Sequence, residues 1–500
     1  MPGYPRPRRV APTPLRELAA LVGAGSAAEV AVTGVTHASG EVRPGDLYAA
    51  LPGARRHGAE FIGDAQGRGA VAVLTDERGA HDAPLPAIVV PDPRDVLGTV
   101  ASRVYGEPTA RLTVLGVTGT AGKTSTAYLI ESGLRAAGRS TGLIGTVETR
   151  LGDLVVDSAR TTPEATDLHA TLAAALERGV DSVAMEVSSH ALALGRVGGV
   201  RFAVGGFTNF GVDHLDFHAN VEDYFAAKAR LFDGRCGTEV VNVDDPAGRR
   251  LVHDRTVTYS ADGDPAAHWR AVDVAGGGYA QRFTALGPHG VHVDASVALP
   301  GRHNVANALL AIACLVAVGV DPAVAAAGVA DCAGVPGRLE RVSAPGPVLG
   351  VVDYAHKPDA VIAVLAALRE VTRHRLVCVI GAGGDRDRAK RPLMGAAAAR
   401  GADLVIVTDD NPRTEDPAAV RAEVLRGALD VREHGIIEVA GRRAAIDAAV
   451  REAGPGDVVA LLGKGHERGQ EVAGVTYPFD DRVELAAALA ARWAPAGSTR

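Results

Sequence analysis

An apolar run at residues 112–117 leads into Thr118-Gly119-Thr120-Ala121-Gly122-Lys123-Thr124, and residues 123–137 then show helical periodicity. Glycines let a backbone curl so that its N–H groups face inward, and the following helix N-terminus adds positive potential. Lys123 can then meet the β- and γ-phosphates of a nucleoside triphosphate, with the Thr124 hydroxyl placed for Mg²⁺. The general loop of this kind has a glycine five places before Gly122, where this chain has Val117, so the match is to a shortened variant. Taken alone, the loop specifies triphosphate binding and no particular reaction.

Further residues could extend that chemistry. Glu186 ends an apolar run (182–187), at the carboxyl edge where open α/β sheets bind ligands. A carboxylate beside triphosphate suits Mg²⁺, which prefers oxygen donors. His214 is a less usual magnesium ligand, and Lys228 reads on spacing alone as a basic position on an amphipathic helix. Near the other end, Asp410-Asn411-Pro412-Arg413 follows an apolar run, where an arginine offers a rigid fork to a carboxylate.

Positioning these residues takes more than one domain, since 500 residues exceed a single compact unit and suggest about three. An apolar fraction of 47% with 22% charged residues is globular composition. The net charge of -7 disfavours nucleic acid as a partner, because phosphate neutralisation needs a basic excess. Cys236, Cys314, Cys332 and Cys378 are far apart, which excludes a zinc knuckle and makes reduced thiols the expectation. No apolar stretch approaches a membrane span, and no signal-peptide pattern follows the first residues, so a cytoplasmic protein without membrane insertion is expected. Residues 1–14, with Arg6, Arg8, Arg9 and five prolines, read as a flexible arm.

Short strand-like runs at 31–35, 46–51, 70–74 and 87–90 mark a small α/β domain at 15–107. The central domain, 108–337, adds strands at 182–187, 203–207 and 239–243, and its alternation with helices predicts a mostly parallel sheet covered on both faces. Alternating runs at 281–286 and 291–297 suggest an antiparallel insertion over about 256–299, followed by a helix at 304–318. Runs at 348–353, 376–381, 404–408 and 458–462 predict a second, Rossmann-like α/β unit at 338–500. The fold class is therefore α/β with three domains.

From about residue 31 onward the chain resembles the Mur ligases, whose phosphate loop has the form seen at 118–124. The resemblance also rests on Glu186-Val-Ser-Ser-His190, Thr208-Asn-Phe-Gly-Val-Asp-His214 and Gly301-Arg-His-Asn304. Pro336-Gly-Arg338, Asp353-Tyr-Ala-His356 and Gly463-Lys-Gly-His-Glu467 complete it. It implies an ATP-dependent ligase that joins an amine to a carboxylate through an acyl phosphate. Lys123, Glu186, His214 and Lys228 would be catalytic, with ATP also met by Gly119, Thr120, Ala121, Gly122, Thr124, Ser125, Asn209, Asn304, Arg338 and Asp353. Two Mg²⁺ ions are implied, held by Thr124, Glu186, His214 and Lys228, the last as a CO2-derived carbamate.

Asp410-Asn411-Pro412-Arg413 is similar to the signature of members that add meso-diaminopimelate to UDP-N-acetylmuramoyl-alanyl-glutamate. Arg386, Asp410, Asn411, Pro412, Arg413, Gly463 and Glu467 are implied to bind the diaminopimelate. Lysine, lacking the distal carboxylate, would leave an arginine buried and unpaired, at a cost of roughly 2–5 kcal/mol. Sites of that kind reject the lesser analogue by about 10⁴–10⁵. For the UDP-linked acceptor the implied contacts are His37, Ser39, Ala54, Arg55, Arg56, Arg160, Thr161, Thr162, Ser188, Leu194 and Arg196. The chain departs from some relatives here, with Arg160 and Leu194 replacing Asn and Gln, and Thr36-His-Ala-Ser39 replacing a D-S-R pattern. A monomer is expected. The rival readings are a lysine-adding Mur ligase, a folylpolyglutamate synthase-like ligase and a nucleotide-hydrolysing switch.

Overall fold

The computed structural model describes residues 3–493 other than Ala27 and Ala54. It divides into two compact units, Met1–Arg270 with Gly287–Val291 and Leu309–Val329, and Ala271–Leu286 with His292–Ala308 and Ala330–Arg500.

In the first unit, strands Gly34–Thr36, Asp46–Ala49, Ala72–Thr75 and Ala87–Val89 pair in chain order as a parallel four-stranded sheet. The larger sheet is centred on Thr113–Thr118, which lies between Ser182–Glu186 and Phe202–Phe207. Thr141–Ile144 extends it on one side and Cys236–Asn242 on the other, all in parallel. Parallel strands are buried on both faces and so read as continuous apolar runs; Val114, Val183, Met185 and Val241 are fully enclosed. Register places Glu186 opposite Val117, which sets the carboxylate beside the loop that follows the central strand. An antiparallel pair, Glu148–Leu151 and Leu154–Asp157, closes one edge.

Two expectations change. Thr256–Ser260, read as the start of an antiparallel block, pairs in parallel with Cys236–Asn242. Its alternating Thr and Ser residues mimic a half-exposed strand, yet they are buried and satisfied, with Ser260 Oγ donating to Asp244 and Thr258 Oγ1 on His268 Nδ1. The N-terminal arm, expected to be flexible, is held across the first unit. Arg6 makes two bonds to Asp46, at 2.8 and 2.5 Å, and the Arg8 and Arg9 amides donate to Glu177. Prolines gave the appearance of a tail, but the anchoring partners lie 40 and about 170 residues away, a separation that local pattern does not encode.

The second unit has a six-stranded sheet in the order Glu340–Val342, Leu349–Asp353, Val458–Leu462, Leu376–Ile380, Leu404–Val407 and Ile436–Glu438. All pairs are parallel except the first. A hairpin, Gly469–Val472 with Val475–Pro478, follows the last central strand. Arg442 and Asp481 are fully buried together, and Arg442 also donates to the carbonyls of Leu462 and Asp409. That pair ties two strand ends to each other, at the edge where the candidate pocket lies. Among the described residues no helix is long and apolar enough to cross a membrane.

Candidate functional site

The phosphate loop is shaped by its glycines and by residues 208–211. Gly119 has φ +147, and a Cβ there would collide with Thr208 Oγ1. Thr208 donates to the Ala121 carbonyl at 2.6 Å, and Asn209 Oδ1 accepts from the Ala121 amide at 2.9 Å. Gly122, at φ +85, immediately precedes helix Lys123–Ala136, so the helix N-terminus opens directly on the loop. Ser125 is buried in its first turn. Thr120 bonds both the Gly211 carbonyl and the Tyr224 hydroxyl.

Glu186, almost fully buried, sits against this loop. Thr124 Oγ1 donates to its Oε2 at 3.0 Å, the Thr146 amide to Oε1 at 2.7 Å, and the Thr146 hydroxyl to Oε2 at 3.1 Å. Hard oxygen donors converging beside a phosphate loop are the donor chemistry that Mg²⁺ takes. The sequence reading omitted Thr146. Its signal is the apolar run Thr141–Ile144 ending in Gly145-Thr146, a strand end beside that of Glu186.

Lys123 Nζ and Lys228 Nζ both donate to the Gly119 carbonyl, at 2.7 and 2.8 Å. Lys228 is buried, with its amine 4.5 Å from the Tyr224 ring centroid. Two cationic amines sharing one acceptor repel each other, and converting one to an anionic carbamate would remove that repulsion. His214 adopts φ +53 and bonds Asp213 at 2.9 Å, with its side chain 40% exposed. Its ring lies edge-on to His190, whose pKa falls to about 4, chiefly through burial and then through the neighbouring His214 and His218. Among the described residues no group of three or more His, Cys, Asp or Glu is placed to hold a metal.

Toward the acceptor region, Thr161 Oγ1 lies 3.0 Å from the Thr146 hydroxyl and Thr162 donates to the Glu186 carbonyl. Ser188 caps helix Ser189–Ala193, and Leu194 ends it. Arg196 pairs with Glu164 at 2.8 Å, while Arg94 and Arg160 lie 3.8 Å from the same carboxylate. The Glu164 carboxylate is shared among three guanidiniums, with Asp167 and Glu41 also close to this cluster, and the buried Arg196 Nε has no hydrogen-bond partner among the described residues. His37 bonds Thr166, and burial lowers its pKa. Ser39 opens a short turn, whereas Arg55 is exposed and Arg56 pairs with Glu60 at the surface. Ala54 lies outside the described residues.

In the second unit, Asp353 accepts from the amides of Leu339 and Ala355, and burial raises its pKa to about 6. Arg338 lies over the Tyr354 ring at 4.6 Å. Asn304 is buried, donating to the Pro300 carbonyl and accepting from Asn307.

The residues assigned to the amino acid gather at the ends of strands Leu404–Val407 and Val458–Leu462. Gly463, at φ +114, leaves room for Asp410, whose Oδ2 a Cβ would strike. Asn411 donates to Glu467 at 2.8 Å and accepts from the fully buried Lys464 at 3.0 Å. Lys464 also lies 3.3 Å from Glu467 and 3.9 Å from Asp410. Burial, and then Asp410, raises the Glu467 pKa. Arg413, at φ +55 after Pro412, donates to the Gly384 carbonyl at 2.6 Å and faces Glu471 at 3.4 Å. The two arginines implied to meet the amino acid differ in exposure. Arg413 is largely enclosed, but Arg386 sits on the exposed loop 385–389, because the anchored residue of that loop is Asp385, held by Thr414 and Glu415. Lys464, inside the motif Gly463-Lys-Gly-His-Glu467, and Glu471 also line this region, though neither stands out by type or spacing.

Comparison with known proteins gives three family matches: the Mur ligase middle domain over residues 117–315, the Mur ligase glutamate ligase domain over 337–465, and the Mur ligase family catalytic domain over 31–105. A Streptomyces avermitilis protein named UDP-N-acetylmuramoyl-L-alanyl-D-glutamate–2,6-diaminopimelate ligase is 56% identical over 98% of both chains. A Leifsonia xyli protein named UDP-N-acetylmuramyl-tripeptide synthetase is 45% identical, again over 98% of each. A solved structure of a UDP-N-acetylmuramoyl-L-alanyl-D-glutamate–2,6-diaminopimelate ligase matches at 32% identity and TM-score 0.67, covering 92% of this chain and 95% of that one.

Proposed function

This chain belongs to the Mur ligase family, and on that footing we propose that it adds meso-diaminopimelate to the D-glutamate of UDP-N-acetylmuramoyl-L-alanyl-D-glutamate. It is an ATP-dependent amide-bond-forming ligase of peptidoglycan-precursor synthesis. The observation that carries the choice of amino acid is the mixed sign of one pocket. Asp410 and Glu467, two carboxylates against the single Lys464 ammonium, leave negative charge for a further ammonium group, and Arg413, on the same loop as Asp410, offers a guanidinium to a carboxylate. An amino acid with both groups at its far end suits that pocket; lysine satisfies only the acidic half.

In the reaction the glutamate side-chain carboxylate attacks the γ-phosphorus of ATP, giving an acyl phosphate and ADP. The amine of diaminopimelate then attacks that carbonyl, and phosphate leaves. Lys123 and the loop N–H groups stabilise charge on the transferred phosphoryl group. Thr124 and Glu186 would hold one Mg²⁺, with His214 and carbamylated Lys228 serving a second, and bound metal supplies charge neutralisation of the triphosphate. Arg196 would orient the anionic acceptor, and Asn304, Arg338 and Asp353 are the second unit's residues assigned to the nucleotide. Functionally the chain divides at 15–107, 108–337 and 338–500, and it works as a monomer in the cytoplasm.

The test is phosphate release with one substrate withheld at a time. Release is expected to require ATP, the UDP-muramoyl dipeptide and diaminopimelate together. Release from ATP alone at the full rate would favour the nucleotide switch, and release only with lysine would overturn the amino-acid assignment.

A further inference from the structure

The arm that the sequence left without a role reaches the acceptor region. The Tyr4 hydroxyl accepts from the Arg160 amide at 3.1 Å and donates to the Arg160 carbonyl at 3.4 Å. Both backbone groups of one residue are thus held by one side chain. The arm itself is pinned two residues away, where Arg6 grips Asp46 through both oxygens. The slot for that grip is built in. Asp46 is 1% exposed, and a Cβ on Gly34 would strike both Arg6 and Asp46, so only glycine lets the pair pass. Further along, Glu177 accepts the amides of Arg8 and Arg9. Three anchors fix the strand of arm that presents Tyr4.

Arg160 is followed directly by Thr161 and Thr162. Thr161 bonds the Thr146 hydroxyl at 3.0 Å, and Thr146 bonds both oxygens of Glu186. Thr162 reaches the Glu186 carbonyl, and Arg196 donates to the Thr162 carbonyl. Residues 158–160 are otherwise exposed or half-exposed and lie between the antiparallel edge pair and helix Ala165–Glu177. Without the arm, the free side of this segment has solvent where the Tyr4 hydroxyl now sits.

We propose that Tyr4, presented by the Arg6–Asp46 anchor, is a positioning residue that holds the 158–162 segment in the shape that binds the UDP-linked acceptor. The inference rests on the acceptor assignment of the preceding subsection. Tyr4 acts through Thr161 and Thr162 and touches no reacting atom.

The test uses the full chain with Tyr4→Phe, which removes only the hydroxyl, and Arg6→Ala, which releases the anchor. First, hydrogen exchange of the peptide covering 158–162 is compared with wild type, without substrates. Faster exchange confined to that peptide is expected in Tyr4→Phe, and unchanged exchange in both variants overturns the proposal. Second, steady-state kinetics are expected to show KM for the UDP-muramoyl dipeptide rising about 5- to 10-fold, the scale of one lost hydrogen bond, with KM for ATP and kcat within twofold. Equal KM for the dipeptide, or a uniform fall in kcat with all KM values unchanged, overturns it. Wild-type turnover with the dipeptide is the control: if wild type ignores the dipeptide, the acceptor assignment fails, while the exchange result still reports on the arm. Arg6→Ala leaves a buried carboxylate short of a partner, so its thermal midpoint is followed alongside; Tyr4→Phe, at a half-buried site, keeps the proposal testable if Arg6→Ala unfolds.

Discussion

Glu186→Gln is expected to lower kcat by roughly 10³-fold while leaving the protein folded. Glutamine keeps the size and an oxygen to accept from the Thr146 amide, and the Thr124 and Thr146 hydroxyls can turn to accept from its new NH₂. What disappears is a negative charge at a buried position beside the phosphate loop. A metal ion stabilising a phosphoryl transition state is worth several kcal/mol. Losing about 4 kcal/mol at 1.36 kcal/mol per decade gives the stated factor. The check is steady-state phosphate release at saturating Mg²⁺ beside a thermal melt; activity within tenfold of wild type would remove Glu186 from the metal role.

Arg413→Ala is expected to lower kcat/KM for diaminopimelate by about 30- to 160-fold, with ATP binding unchanged. The structure itself moderates the magnitude. A fully buried charge pair truncated on one side costs about 2–5 kcal/mol, but the Arg413 side chain is 23% exposed and already faces Glu471 at 3.4 Å. Solvent and that partner screen it, so the lower end, about 2–3 kcal/mol, applies. For the same reason Arg413 alone does not account for a rejection of lysine by about 10⁴–10⁵. Arg386, exposed on its loop, is expected to matter less. Calorimetric titration with an ATP analogue, alongside kinetics in diaminopimelate, separates a pocket effect from a folding defect.

The parallel strands were legible because burial on both faces writes itself as an unbroken apolar run, as at Val458–Leu462. The phosphate loop was legible because its glycines and Lys-Thr pair are consecutive. Thr256–Ser260 was misread because buried hydroxyls that find partners look like a solvent face in one dimension. Glu186 and Thr124, 62 residues apart, meet only because register sets the end of the Glu186 strand beside the strand that leads into the phosphate loop and the Thr124 helix. Thr146 was missed since a single Gly-Thr carries no signal until its strand is known to neighbour that of Glu186. The arm was misread for a stronger reason: Arg6, Asp46 and Gly34 form one slot from three separate segments. Arg386 lies on an exposed loop, and a motif match does not fix where a loop side chain points.

On the proposed reading, one pocket carries both signs for one amino acid. Competition between meso-diaminopimelate and lysine in a single reaction, with the tripeptide products resolved by mass, tests this directly. The ratio of kcat/KM values is expected to favour diaminopimelate by at least about 30-fold, and to fall toward unity in Arg413→Ala. Equal incorporation of the two by the wild-type enzyme, or a preference for lysine, would contradict the account.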